Sequence, residues 1–157
     1  MQRRRQGSRE QDLLEKAVRY IPGGTLGNMF LPHERSIVIR AGKGSRIFDV
    51  TGNEYVDFLL GSGPMILGHA HPAVTQAVQE IVEGGSTFYA INEHIIDLAE
   101  ELVRAIPCAE KVRFTTSGTD ANFQCMRLAR TFRKRDKILK FEGAFHGSSD
   151  YAMMSAP

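Results

Sequence analysis

The sequence predicts an α/β fold in two parts, a small N-terminal α+β lobe over 1–68 and the start of an α/β domain over 69–157. Three observations predict it. An amphipathic helix is followed by three β-like runs, the texture changes from β to α near residue 70, and the chain closes on a strand–helix–strand order that implies a parallel pair with a right-handed crossover.

Each element has its own signal. Ser8 and Gln11 have the spacing of a capping box, and Leu13, Leu14, Ala17, Val18 and Ile21 recur at helical spacing, which predicts a helix over 9–20. Pro22-Gly23-Gly24 ends it. The runs 36–40, 46–50 and 55–59 read as an antiparallel meander. Gly42-Lys43-Gly44 and Thr51-Gly52-Asn53-Glu54 between them carry residues that tolerate positive φ.

Beyond the loop Gly61-Ser62-Gly63-Pro64, Pro72 suits a first helical turn, and Val74, Ala77, Val78, Ile81 and Val82 line one face up to Gly84-Gly85. Asn92 is placed to cap a further helix, with Ile95, Ile96, Leu98, Ala99, Leu102 and Val103 on its inner face and Pro107 as terminator. The last unit is a strand over 111–115, a helix over 118–134 and a strand over 137–141. Two strands leave a parallel sheet incomplete, and 153–157 offers no closing element, so the sequence is expected to be the N-terminal fragment of a longer chain.

With 157 residues, 42% hydrophobic and 24% charged, and a mean hydropathy of −0.24, the composition is that of a globular protein. Fibrous, collagen-like and disordered classes are excluded. No stretch approaches the roughly 20 apolar residues of a membrane span, and no apolar run follows the charged opening to make a signal peptide, so a cytoplasmic location is expected. Arg3, Arg4, Arg5 and Arg9 against Glu10 put +3 of the net +2 in the first ten residues, leaving a nearly neutral body. Such an arm reads as a solvated terminus. Cys108 and Cys125 have neither CxxC nor metal-ligand spacing, so reduced, partly buried thiols are expected rather than a disulfide or a zinc site.

The chemistry concentrates late in the chain. Thr116-Ser117-Gly118-Thr119 joins a strand to a helix, where small residues expose backbone N–H groups to which a phosphate can bind, with the Ser117 and Thr119 hydroxyls adding donors. The same residues also suit a plain N-cap. Phe145-His146-Gly147 follows the second strand, at the end where open α/β sheets bind ligands, so Phe145 has the position to stack on a planar ligand or simply to sit in the core. His69 and His71 have i, i+2 spacing without a third ligand nearby, which favours a turn or helix cap over a metal site. The basic stretch Arg127, Arg130, Arg133, Lys134, Arg135, Lys137 and Lys140 fits a helix C-terminus and, as the lesser alternative, nucleic acid.

From about Tyr20 onward the chain resembles the class III pyridoxal-phosphate-dependent aminotransferases, most closely the glutamate-1-semialdehyde 2,1-aminomutase branch. The segments that carry the resemblance are IPGG (21–24), FDVTGNEYVDF (48–58), GPMILGHAHP (63–72), KVRFTTSGTDAN (111–122), RLAR (127–130) and KFEGAFHG (140–147). It implies the N-terminal part of a fold-type I homodimer that acts with pyridoxal 5'-phosphate on an amino acid or amine. Ser117, Gly118 and Thr119 would then bind the cofactor phosphate, Phe145 would stack on the pyridine ring with His146 beside it, and Ser62, Phe88 and Tyr89 would lie near the substrate.

Three positions depart from the aminomutase pattern. Thr25-Leu26-Gly27-Asn28 replaces Ser-Pro-Val-Arg, Ser62 stands where Trp is usual, and Ser148 stands where a second His is usual. An aminotransferase acting on another amino acid or amine therefore fits as well. The resemblance also implies a Schiff-base lysine, and none of Lys16, Lys43, Lys111, Lys134, Lys137 or Lys140 has its context, which places that residue beyond 157 and leaves the isolated fragment inactive. The competing reading from another class is a non-catalytic chain that binds a phosphorylated ligand or a protein partner.

Overall fold

The computed structural model describes residues 8–26 and 36–155. Helix α1 spans Ser8–Tyr20 and is followed by a 3₁₀ turn, Pro22–Gly24. The Gln11 amide donates to Glu15 Oε1 at 3.4 Å, one turn further on, and the Ser8 side chain of the expected capping box lies outside the described residues. Leu14 is buried, and Glu10, fully buried, accepts from Val38 N at 3.2 Å, which ties α1 to the segment entering the meander. Gly27 and Asn28, where the sequence departs from the aminomutase pattern, lie outside the described residues, as do Arg3, Arg4 and Arg5.

The meander is present with its first strand moved and its third, expected over 55–59, confined to 54–56. Strands β1 (Ile39–Lys43), β2 (Arg46–Asp49) and β3 (Glu54–Val56) form an antiparallel sheet in the order β1-β2-β3. Gly42 and Lys43, expected in a turn, pair with Ile47 and Arg46, so the hairpin turns at Gly44-Ser45 instead. Gly44 has a φ of +55°, which suits it to that tight connection. The register slips between Ile39 and Ala41, a bulge that re-aims the start of β1.

The turn between β2 and β3 is held by Asp49, a buried carboxylate. It accepts from Thr51 N (2.9 Å), Thr51 Oγ1 (2.8 Å), Asn53 N (2.8 Å), Asn53 Nδ2 (2.8 Å) and Tyr55 Oη (2.8 Å). Burial would raise its pKa, but the hydrogen bonds from Asn53, Tyr55 and Thr51 outweigh it and hold the group far below the usual carboxylate range.

After β3 the chain makes a left-handed run in which Leu60, Gly61, Ser62 and Gly63 have φ of 47°, 65°, 67° and 109°. Asp57 Oδ1 pins its start by accepting from Leu59 N (2.9 Å) and Leu60 N (3.0 Å). Asp57 Oδ2 lies 2.7 Å from His69 Nε2, and this contact is the chief reason its carboxyl titrates below its ordinary value.

The chain divides into two compact units, 1–87 and 88–157. Gly44 and His69 exchange backbone hydrogen bonds of 2.8 Å in each direction, and with the Asp57–His69 contact these fasten the 68–71 turn to the meander, so helix α2 (Pro72–Glu83) stays with the first unit. Pro72 occupies the first turn of α2, as expected, and His71 is at its N-cap position without a capping side-chain bond.

In the second unit α3 spans Glu93–Ala105, capped by Asn92, whose side chain accepts from Ile95 N at 3.1 Å. Helix α4 spans Gly118–Arg133 and α5 Asp150–Met153. The expected strands 111–115 and 137–141 do not form as strands, and the strand–helix–strand unit does not close. A strand is defined by its ladder, and among the described residues only β1, β2 and β3 form one. The apolar helix faces are likewise uncovered. Val74, Val78, Ile81 and Val82 of α2, and Ile96 and Leu98 of α3, are exposed.

Candidate functional site

The loop into α4 brings together residues far apart in sequence. Ser117 is the N-cap of α4, and its Oγ accepts from Asp120 N at 3.1 Å while donating to Asp120 Oδ2 at 3.0 Å. Thr116 Oγ1 donates to the same oxygen at 2.5 Å, and these two hydroxyls, Thr116 first, lower the Asp120 pKa. The capping alternative is thus realised at Ser117, whose hydroxyl is engaged at both its donor and its acceptor side. Helix geometry leaves the N–H groups of Gly118 and Thr119 without an intrahelical acceptor, and a Cβ on Gly118 would meet nothing within 4 Å. The first turn of α4 is therefore open toward an incoming group.

The segment that follows 137–141 closes against this turn. Thr119 Oγ1 accepts from Ser148 N at 3.2 Å, which leaves its own proton free to be donated, and Asn122 Nδ2 donates to the His146 carbonyl at 3.0 Å. Gly147 is buried at a φ of +102°, and a Cβ there would stand 2.6 Å from Thr119 Oγ1 and 2.7 Å from its Cα. Only glycine permits that approach. Ser117, Gly118 and Thr119 therefore share one corner with His146 and Gly147, and the adjoining Phe145 is 61% exposed, with a ring face available to a ligand.

His146 also lines a cavity of about 690 Å³, together with Cys125, Met126, Ile138, Phe141 and Ala152. Cys125 and Cys108 are both free and exposed, where partial burial was expected. Phe88 and Tyr89 are exposed in the segment that precedes α3. Ser62 belongs to the first unit, on the left-handed run, and is also exposed.

Other sequence candidates resolve into structural roles. Arg130 stacks over the Tyr151 ring at 4.2 Å and donates to the Asp136 carbonyl at 2.7 Å, and Arg127 stacks over Phe123 at 5.6 Å. Lys140 donates to the carbonyls of Ala152 (2.9 Å) and Met154 (2.5 Å). Three of the seven basic side chains, Arg127, Arg130 and Lys140, thus engage groups of their own chain. His69 is engaged by Asp57, and among the described residues no group of three or more His, Cys, Asp or Glu side chains could hold a metal. No helix among them is long and apolar enough to cross a membrane. The contribution of Asn122 was missed, because its partner lies 24 residues away and nothing local marks the pairing.

The chain is similar to known proteins over most of its length. The Aminotransferase class-III family matches residues 30–156. Glutamate-1-semialdehyde 2,1-aminomutase of Fusobacterium nucleatum is 44% identical over 149 residues, covering 92% of this chain and 34% of that protein. The protein of the same name from Methanothermobacter thermautotrophicus is 43% identical over 148 residues, covering 93% and 35%. Among solved structures, an omega-transaminase from Sphaerobacter thermophilus superposes with a TM-score of 0.89 at 37% identity, over 96% of this chain and 34% of that one. A glutamate-1-semialdehyde aminomutase from Pseudomonas aeruginosa gives 0.75 at 30%, over 92% and 32%. The chain spans about a third of the length of these relatives.

Proposed function

The chain belongs to the class-III aminotransferase family, with the N-terminal part of its fold-type I architecture, and from that premise we propose that the α4 corner is one wall of a pyridoxal 5'-phosphate site in an enzyme that transfers an amino group. The observation that carries this reading is the junction of Thr119 with the 146–148 loop, which sets an open helix N-terminus beside an exposed aromatic ring. A phosphate needs N–H and O–H donors, and a pyridine ring needs a flat apolar partner, so the residues present fit the group.

In this reading the N–H groups of Gly118 and Thr119 and the Thr119 hydroxyl hold the phosphate. Ser117 keeps the helix end in shape as its cap, and Phe145 covers the ring with His146 beside it. Bound there, the cofactor supplies an electron sink that acidifies the C–H bond next to a substrate amine. The tight fit at Gly147 holds the 146–148 loop close against Thr119. Phe88 and Tyr89 are proposed on the substrate side, and Ser62 is a separate proposal on its own turn. A lysine outside these 157 residues is proposed to anchor the cofactor covalently and to move the proton, and the working enzyme is proposed to be a cytoplasmic homodimer.

Amino transfer between two molecules is favoured by the omega-transaminase likeness and by Ser62 in place of the usual Trp. The second reading, the intramolecular aminomutase reaction, is supported by relatives of that name at 40–44% identity. The test has two arms. A polypeptide of the relatives' full length that carries this sequence is titrated with pyridoxal phosphate and supplied with an amine donor, and protein-dependent conversion of the cofactor to its amino form is expected. The 157-residue chain alone should convert no more than the free cofactor does. Clear turnover by the chain alone overturns the assignment of the lysine.

A further inference from the structure

We infer that Asn122 is a positioning residue that sets the aromatic–His loop against the phosphate-facing end of α4, so that the two halves of the proposed cofactor wall move as one piece. The inference rests on the amino-transfer reading above and deepens it.

Asn122 lies in the second turn of α4, beyond the N–H groups assigned to phosphate, and its amide reaches away from them to the His146 carbonyl at 3.0 Å. It is the second of two side-chain clasps on the same loop. The first is Thr119 Oγ1 accepting from Ser148 N at 3.2 Å, and the clasps fall on either side of Gly147, whose missing Cβ admits the close approach to Thr119. Two hydrogen bonds flanking a sterically closed glycine fix both the distance and the rotation of the loop.

A carbonyl acceptor at His146 fits the amide donor of Asn122, whereas a carboxylate there would face the carbonyl oxygen with a second acceptor. Phe145 precedes the clasped carbonyl by one residue, so the plane of its ring follows the orientation that Asn122 imposes. Thr119 serves phosphate and loop together, and its loss cannot separate the two. The Asn122 side chain gives its hydrogen bond to the loop and none to the first-turn N–H groups of α4.

That division supplies the experiment. In the full-length polypeptide, Asn122→Ala should weaken pyridoxal phosphate binding by about three- to tenfold, the scale of one hydrogen bond. Inorganic phosphate, measured as a competitor of the cofactor, should keep its affinity within about twofold, because its donors are untouched. The induced circular dichroism of the bound cofactor should fall as the ring loses its fixed orientation, and the 145–148 amides of the cofactor-free protein should exchange faster. Asn122→Gln, which keeps a donor, should recover part of the affinity and of the dichroic signal, and Asn122→Asp should recover neither. Equal binding and unchanged dichroism in Asn122→Ala would overturn the inference while the cofactor reading stood. A parallel loss of phosphate and cofactor affinity with a lowered melting temperature would also overturn it, as a merely structural contact. Failure of the unmodified protein to bind the cofactor would instead overturn the reading beneath it.

Discussion

Asp49 and Asp120 are both carboxylates at turns, both accept from hydroxyls, and both titrate below the ordinary carboxylate value. Their surroundings differ. Asp49 is buried in the first unit and accepts hydrogen bonds from Thr51, Asn53 and Tyr55, within the turn and the strand after it, so the turn it builds is closed on itself. Asp120 is exposed at the start of α4, and the two N–H groups ahead of it point outward. The same chemistry thus makes a finished structural joint in one unit and an open recognition surface in the other. What separates them is whether the donors of the turn are all consumed.

The largest expected effect concerns the open side of this comparison. The exposed apolar face of α3 and the unpaired chain at 111–115 and 137–141 favour self-association. The 157-residue chain expressed alone should therefore scatter light as an aggregate and unfold without one sharp transition. A monodisperse monomer with a single cooperative transition would show that the second unit closes as well as the first.

Asp49→Ala comes next, because it strands the donors of Thr51, Asn53 and Tyr55 at once. A loss of about 2–4 kcal/mol is expected in denaturant unfolding of the full-length polypeptide. The pH dependence has a fixed sign. A carboxyl held below its ordinary 3.8 in the folded chain contributes its full stability above that value and loses it as the pH falls toward the folded pKa. Stability of the unmodified protein should thus decline in acid more steeply than that of Asp49→Asn. Equal slopes would remove Asp49 from its place in the comparison.

On the recognition side, Ser117→Ala combined with Thr119→Ala should weaken cofactor binding by roughly 1–3 kcal/mol in a titration. Ser117→Ala alone should act mainly through the helix, lowering stability by about 1 kcal/mol for a lost cap. An unchanged cofactor affinity in the double variant would place the phosphate elsewhere.

Much of this was legible in the sequence where a residue acts on its near neighbours. Pro72 at a first turn and Asn92 and Ser117 as caps work within four residues, and all three stand as expected. The first strand shifted toward its turn because Gly42 and Lys43 gain ladder partners in Ile47 and Arg46, which local turn chemistry does not reveal. The runs at 111–115 and 137–141 have strand composition but no partner among the described residues, and composition alone makes no ladder. At the site, the members were readable one by one. The Asn122 to His146 and Thr119 to Ser148 contacts that join them were not, since they span 24 and 29 residues.

The run from Leu60 to Gly63 carries a consequence for chemical synthesis. At Leu60 and Ser62 the backbone turns with the opposite hand to the one L-amino acids favour, a cost of roughly 1–2 kcal/mol at each. A mirror-image residue has no such cost. A semisynthetic chain with D-serine at position 62 would keep the hydroxyl and relieve the backbone, turning a place where natural proteins pay in strain into one where altered chirality adds stability.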